Sequence, residues 1–332
     1  MRNDDIPASR MPVAIIGFSD DESPLDLLWP STHRALLPIA GKPVIVYLIE
    51  QLADAGIRHV RITGSIQQYA VRNRLRCGRE WGIKIRYSDL HKDELLNECV
   101  VTDGEGLLLY GDRLYDAEFR GVLRRATDER RANAASELRP GLWRFVDGQM
   151  RRHALQNGNG APIYENSLTT PEDYLRANLR AAGVIANVLT VPGAPLHRDA
   201  VADWKSDIRA GARIGEQVFI GKHCRVGSLA RLESNCVLSN GAVIASGACL
   251  ENVVVLPNCY VGARMRIRDA ILGNHGVLSL AGQYWPVRNP AYLSVTRKNS
   301  EAQTGLPDAL DELPYLAEKP QVFAQSADKR GI

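Results

Sequence analysis

Aliphatic residues recur every six positions through the second half of the chain: Ile208, Ile214, Ile220, Val226, Leu232, Leu238, Ile244 and Leu250. Two places before each stands a small or slim residue: Ser206, Ala212, Val218, Cys224, Ala230, Cys236, Ala242 and Ala248. A helical face repeats near 3.6 residues and a half-buried strand repeats at two. A period of six therefore reads as one short strand plus one turn. Three such units close a triangular coil, with the aliphatic residue pointing inward and the small one at the corner. Stacked coils make a parallel β-helix. Gly215, Gly221 and Gly227 follow three of the aliphatics, and after a slip of one residue the pattern resumes at Cys259/Val261 and Met265/Ile267. Each coil buries its core only against its neighbours, so residues 206–282 are expected to stand as one stack.

The first half obeys a different rule. Residues 13–18 (V-A-I-I-G-F) form a short apolar run suited to a buried strand, and residues 60–63, 83–87 and 106–110 read as further strands. Between them the spacing predicts helices over 44–55, 66–79 (strongly basic), 117–134 and 170–182, and a hairpin over 142–150 turning at Asp147-Gly148. Thr170 is a natural N-cap, followed by Pro171 and the acidic pair Glu172 and Asp173. Alternating strands and helices indicate an α/β domain with a largely parallel sheet. Residues 19–29 read as a loop. Residues 30–43 are a Pro-punctuated loop with three basic groups, His33, Arg34 and Lys42, just before a helix with Pro43 in its first turn and Gly56 at its stop. Cations and free N–H groups at a helix N-terminus suit an anion. The expected organisation is a tail (1–10), an α/β domain (11–190), a linker (191–205), the β-helix (206–282) and an extended tail (283–332).

Composition narrows the function classes. The 45% hydrophobic and 24% charged residues are those of an ordinary globular protein, and 332 residues suffice for two cores. A net charge of +3 is too small to argue for nucleic acid or an anionic membrane. No apolar run approaches a bilayer span, and residues 1–10 lack an apolar signal core, so membrane insertion is not expected and a cytoplasmic location is. The six cysteines show no C-x-x-C pairing, and four fall in the repeat as slim fillers, which disfavours disulfides and metal clusters. His223 and His275 would be the candidate bases if the repeat belonged to a hexapeptide acyltransferase, a reading that leaves the first half unexplained.

Three segments carry a resemblance. Residues 33–43, H-R-A-L-L-P-I-A-G-K-P, are similar to P-K-x-L-L-P-V-x-x-K-P. Residues 107–112, L-L-L-Y-G-D, are similar to a strand ending in a metal-binding G-D. Residues 170–178, T-P-E-D-Y-L-R-A-N, are similar to T-P-E-D-Y-L-x-A-N. These are the segments of the sugar-1-phosphate nucleotidyltransferases, including the mannose-1-phosphate guanylyltransferases. The chain resembles that family in segment order, and its repeat resembles the left-handed hexapeptide β-helix appended there. The resemblance implies a Rossmann-like, GT-A-like nucleotidyltransferase domain followed by a left-handed β-helix. It also implies transfer of a nucleotidyl group from a nucleoside triphosphate to a sugar 1-phosphate with release of pyrophosphate, assisted by Mg²⁺. On that basis Gly17, Arg34 and Lys42 are the phosphate-contacting candidates, Arg34 and Asp112 the catalytic candidates and Asp112 the metal ligand.

Four departures weigh against turnover. The loop expected to read G-x-G-T-R reads G-F-S-D-D, keeping only Gly17, and Asp20, Asp21, Glu22 and Asp26 make it acidic. Such a loop repels triphosphate. Arg34 replaces the usual Lys. The second metal carboxylate falls at Ser167, with Glu165 and Asp116 as stand-ins. Only about fifty residues separate Asp112 from Ser167, with no E-K-P segment, and residues 147–150 are what remains of a sugar-binding lobe. The sequence therefore favours a degenerate relative, a regulatory or scaffold subunit that binds a sugar nucleotide or an active partner enzyme, or assembles with itself through the β-helix. An active nucleotidyltransferase is the alternative.

Overall fold

The computed structural model describes residues 13–18, 22–29, 33–63, 68–88, 105–115, 119, 121, 123, 142–146, 149–153, 165–182, 193–197, 199–286 and 321–322. In chain order its first elements are β1 (Val13–Gly17), α1 (Leu25–Leu28), β2 (Pro38–Ile39), β3 (Lys42–Pro43), α2 (Val44–Asp54), β4 (His59–Thr63), α3 (Gln68–Leu75) and β5 (Lys84–Ser88). They continue with β6 (Glu105–Tyr110), β7 (Leu114–Tyr115), β8 (Leu142–Val146), β9 (Gln149–His153), β10 (Glu165–Asn166) and α4 (Pro171–Ala181). The chain divides into two compact units. Unit 1 is Met1–Asp20, Thr32–Leu37 and Pro43–Ser167; unit 2 is Asp21–Ser31, Pro38–Lys42 and Leu168–Ile332.

Unit 1 is built on a six-stranded sheet of order β5-β4-β1-β6-β8-β9. The first four strands are parallel and the last two run antiparallel as a hairpin, in which Val146 pairs with Gln149. Parallel strands buried on both faces need continuous apolar runs, and Ala14, Ile15 and Ile16 of β1 are fully buried. Helix α2 buries Val44 through Ile49 together with Gln51 and Leu52, and joins a core with Val60, Ile62, Val71, Leu75 and Leu109. Pro43 is the N-cap of α2 rather than a first-turn residue, because its ψ of 141° is still extended. Of the helix expected over 117–134, the described residues 119, 121 and 123 are helical, with Phe119 and Leu123 buried. The remainder and the Asp147-Gly148 turn lie outside the described residues.

Unit 2 is a β-solenoid of about four coils. Its parallel strands pair with partners 18 residues on, as Asp207 with Arg225, Arg213 with Arg231 and Val218 with Cys236. Past the slip the step is 17, as Cys236 with Val253 and Val243 with Tyr260. Left-handed corners fall at Lys205, Gly211, Gln217, His223, Leu229, Asn235, Gly241 and Gly247, then at Asn252, Asn258 and Arg264. Interior positions such as Ile220, Val226, Leu238 and Leu250 are fully buried, and the small residues expected at the corners, such as Val218, Cys224 and Ala230, instead follow the corners by one residue and are fully buried too. The glycine after an inward aliphatic answers to the coil spacing: a Cβ on Gly215 would lie 2.4 Å from the Glu233 carbonyl oxygen of the next coil.

Two stretches differ from expectation. The proposed linker carries strands Ala194–His197 and Ala200–Ala202, the second pairing in parallel with Val218–Ile220. Pro195 and the absence of a six-residue period hid a coil that starts on small residues. The proposed loop over 19–29 contains α1, whose Leu25 and Leu28 are buried. Leu28 packs near Gly273 within unit 2. Beyond the coils, Gly276–Ser279, Gln283–Pro286 and Gln321–Val322 extend the sheet antiparallel, so the start of the presumed tail is structured.

Candidate functional site

In an open α/β sheet the ligand crevice lies beyond the carboxyl ends of the strands where strand order reverses. Here that point is between β1 and β6, since β4 flanks β1 on the other side. Gly17 ends β1, and its carbonyl accepts the Gly111 N–H at 2.9 Å, holding the two strand ends together. The next residue, Phe18, is 9% exposed. Its ring meets the His33 imidazole with centroids 4.2 Å apart and planes at 59°. A Cβ on Gly111 would stand 2.8 Å from Phe18 Cε1 and 2.7 Å from Ile16 Cγ2. The switch point of unit 1 is thus packed with an aromatic side chain.

Around it stand three of the sequence-predicted residues. His33 caps the 3-10 turn Arg34–Leu36 by accepting the Ala35 N–H on Nδ1 at 3.1 Å, so the neutral ring carries its proton on Nε2. Arg34 follows directly and is buried. Asp112, also buried, lies in the turn after β6. That turn is braced by Tyr115, whose hydroxyl faces the Tyr110 N–H at 3.3 Å and carbonyl at 3.4 Å, and whose ring stacks on Phe119. The β10–β7 pairing, Asn166 opposite Leu114, brings Ser167 alongside the Asp112 turn. The two positions of the implied metal pair are therefore neighbours, but one holds a hydroxyl. Of the stand-ins, Glu165 pairs its backbone with Tyr115 in β10, and Asp116 lies outside the described residues. Mg²⁺ takes hard oxygen ligands in octahedral geometry, usually one or two carboxylates with substrate phosphates. The described donor set offers one carboxylate where the resemblance implies two, which is a poor fit to the ion.

Lys42 belongs to unit 2, on the hairpin β2–β3. Ala40 and Gly41 at its tip both have positive φ, 43° and 78°. The T-P-E-D-Y helix holds that hairpin. Thr170 Oγ1 accepts the Asp173 N–H at 3.1 Å and donates to the Asp173 carboxylate at 2.7 Å, so α4 is capped as its sequence predicts. One turn on, the Tyr174 hydroxyl donates to the Pro38 carbonyl at 2.6 Å, and Asn178 Oδ1 accepts the Ala40 N–H at 2.9 Å. Asn240 of the solenoid donates to the Gly41 carbonyl at 3.2 Å. Burial pushes the Tyr174 phenol far above its ordinary range. Tyr174 and Asn178 act structurally here, a role sequence reasoning missed. The i,i+4 spacing that puts both on one helix face was the available signal.

The remaining candidates lie in unit 2. His223 sits at a left-handed corner with φ 57°, and His275 is exposed, its carbonyl accepting from the Tyr284 hydroxyl at 2.9 Å. Cys224, Cys236 and Cys259 are fully buried, and their thiols donate to carbonyls of the next coil, as Cys224 to Ser239 at 3.1 Å and Cys236 to Leu250 at 3.3 Å. Burial pushes each of these thiols up to about 12.

A mostly parallel α/β sheet followed along the chain by a β-solenoid fits the class of α/β nucleotidyltransferase domains with an appended β-helix. Residues 196–281 match the family described as GMPPB C-terminal domain, that of mannose-1-phosphate guanylyltransferase beta. The match begins inside the stretch read as a linker, at the strand Ala194–His197. With the sheet of unit 1 it fits a guanylyltransferase-like nucleotidyltransferase carrying a β-helix and supports a likeness to sugar-nucleotide-related nucleotidyltransferases. A comparison with curated proteins gave no match. Among the described residues no helix is long and apolar enough to cross a membrane.

Proposed function

We propose that this chain is a non-catalytic relative of the sugar-1-phosphate nucleotidyltransferases, a regulatory or scaffold subunit in sugar-nucleotide metabolism that binds a sugar nucleotide or an active partner enzyme. One observation carries the reading. Phe18 follows the last glycine of β1, nine-tenths buried, and packs over Gly111 where a triphosphate needs an open backbone loop. The acidic residues that follow it in sequence and the hydroxyl at position 167 agree with it. Arg34 and Lys42 are then anion contacts, tested first by binding, and Asp112 a vestigial metal ligand.

The test pairs two assays on the full chain. A thermal-shift screen with GDP-mannose, UDP-glucose and dTDP-glucose is expected to show stabilisation by one of them, about 2.7 kcal/mol at a hundredfold excess over Kd. Exchange of labelled pyrophosphate into nucleoside triphosphates, with sugar 1-phosphates and Mg²⁺ present, is expected to stay at background. Exchange above background overturns the reading in favour of an active enzyme. No shift with any sugar nucleotide, together with a monomer that captures no nucleotidyltransferase, removes the binding role.

A further inference from the structure

The net charge of +3 conceals a strong local segregation. From Arg72 to Arg86 the chain carries six cations, Arg72, Arg74, Arg76, Arg79, Lys84 and Arg86, against a single acid, Glu80. All six are exposed. They lie on one rigid frame. Val71 and Leu75 anchor α3 in the core of unit 1. The Ile85 N–H donates to the Cys77 carbonyl at 3.1 Å, and the Tyr87 hydroxyl donates to the Arg76 carbonyl at 2.7 Å, fastening β5 to the end of the helix. Strand β5 ends the sheet order. Cations on an edge strand deter pairing with another sheet, which accounts for Lys84 and Arg86 but not for the four arginines on and after α3. A solvated helix face ordinarily mixes signs at i,i+4. Here the single acid serves one arginine, Arg74, at 3.8 Å.

We propose that this basic edge of unit 1 is a docking surface for an anionic lipid bilayer. The aromatic residues decide between polyanions. Single-stranded nucleic acid is held by stacking bases on free rings. Here the Arg72 guanidinium covers Tyr87 at 5.4 Å and Arg74 covers Trp81 at 5.8 Å. The freely standing ring among them is Tyr69, 73% exposed at the start of α3. One phenol beside a broad cluster of cations suits a headgroup layer, where amphipathic rings settle and each Lys or Arg adds to the attraction. The contact is peripheral and electrostatic and does not depend on the nucleotide reading above.

Vesicle co-flotation of the full chain tests it, comparing neutral phosphatidylcholine with vesicles of about 30 mol% phosphatidylglycerol at roughly physiological salt. The expected result is partition onto the anionic vesicles only, abolished in high salt. Each cation removed is expected to weaken partition about fivefold. The variant R72Q/R74Q/R76Q/R79Q is therefore expected to lose binding by at least about a hundredfold. A second variant, R76Q/R79Q/K84Q/R86Q, keeps both ring-capping arginines and is expected to lose as much while melting like the parent. Neutralising R213Q/R225Q on the solenoid is expected to leave partition unchanged, which separates the patch from overall charge. Equal binding to neutral vesicles, unchanged binding by the second variant, or capture of a single-stranded oligonucleotide with no vesicle binding overturns the proposal.

Discussion

Replacing Asn178 with alanine should loosen the hairpin that carries Lys42 more than any surface change nearby. Asn178 is fully buried, and so is Ala40, whose N–H it accepts at 2.9 Å. Ala40 is held at φ 43°, a conformation that costs a residue with a Cβ roughly 1–2 kcal/mol. Alanine at 178 leaves the Ala40 N–H buried and unpaired, a cost of about 1–3 kcal/mol. It also removes the Nδ2 bond to the Tyr174 carbonyl at 2.9 Å, worth about 1 kcal/mol. The sum is about 2–4 kcal/mol against opening of the hairpin. Urea unfolding followed by tryptophan fluorescence gives the global change, and amide exchange at Ala40 reads the local one. Asn178→Asp, which keeps the acceptor, is expected to recover part of the protection. Tyr174→Phe, which loses the bond to the Pro38 carbonyl but leaves the Ala40 contact in place, is expected to cost about 1 kcal/mol. A change below about 0.5 kcal/mol for Asn178→Ala, with Ala40 exchange unaltered, would refute the idea that the T-P-E-D-Y-L-R-A-N helix clamps the hairpin.

Two further outcomes follow from the packing. Gly111→Val should destabilise unit 1 by about 2 kcal/mol or more, because its first side-chain atom already collides with Ile16 and Phe18. If Phe18→Ala suppresses that defect in a double-mutant cycle, the ring is the obstacle at the switch point. The buried thiols predict an alkaline limit. Cys224, Cys236 and Cys259 sit near 12 in the fold against an ordinary value near 9, so the folded state holds protons that the unfolded chain releases. Their stabilisation is complete below about pH 9 and is lost as pH rises toward 12. Unfolding curves across that window should be flatter for the triple alanine variant, and among the described cysteines Cys77, which is exposed, should be the one that reacts fast with a thiol reagent at neutral pH.

Much of the architecture was legible because its signals are local. A buried parallel strand must be apolar throughout, so β1 stood out, and the Thr170 cap was readable from its own side chain. The β8–β9 hairpin was equally visible from its turn. The candidate site was less legible. Nothing in the sequence says that the ring of Phe18 turns back over Gly111, or that Leu25–Leu28 form a short helix packed within unit 2. Net charge, a sum over the chain, missed the one-sided edge at β5.

The sequence by itself determined that residues near 206–282 coil and that strands and helices alternate before them. Periodicity and end-caps are properties of neighbours along the chain. Only the tertiary structure decided that Tyr174, Asn178 and Asn240 grip one hairpin, that Ser167 stands beside Asp112, and that a small-residue stretch near Ala200 opens the first coil. Those contacts join residues separated by as many as 199 positions. A hydrogen bond or a close ring contact over that separation depends on the packing of whole elements, which no window of sequence contains.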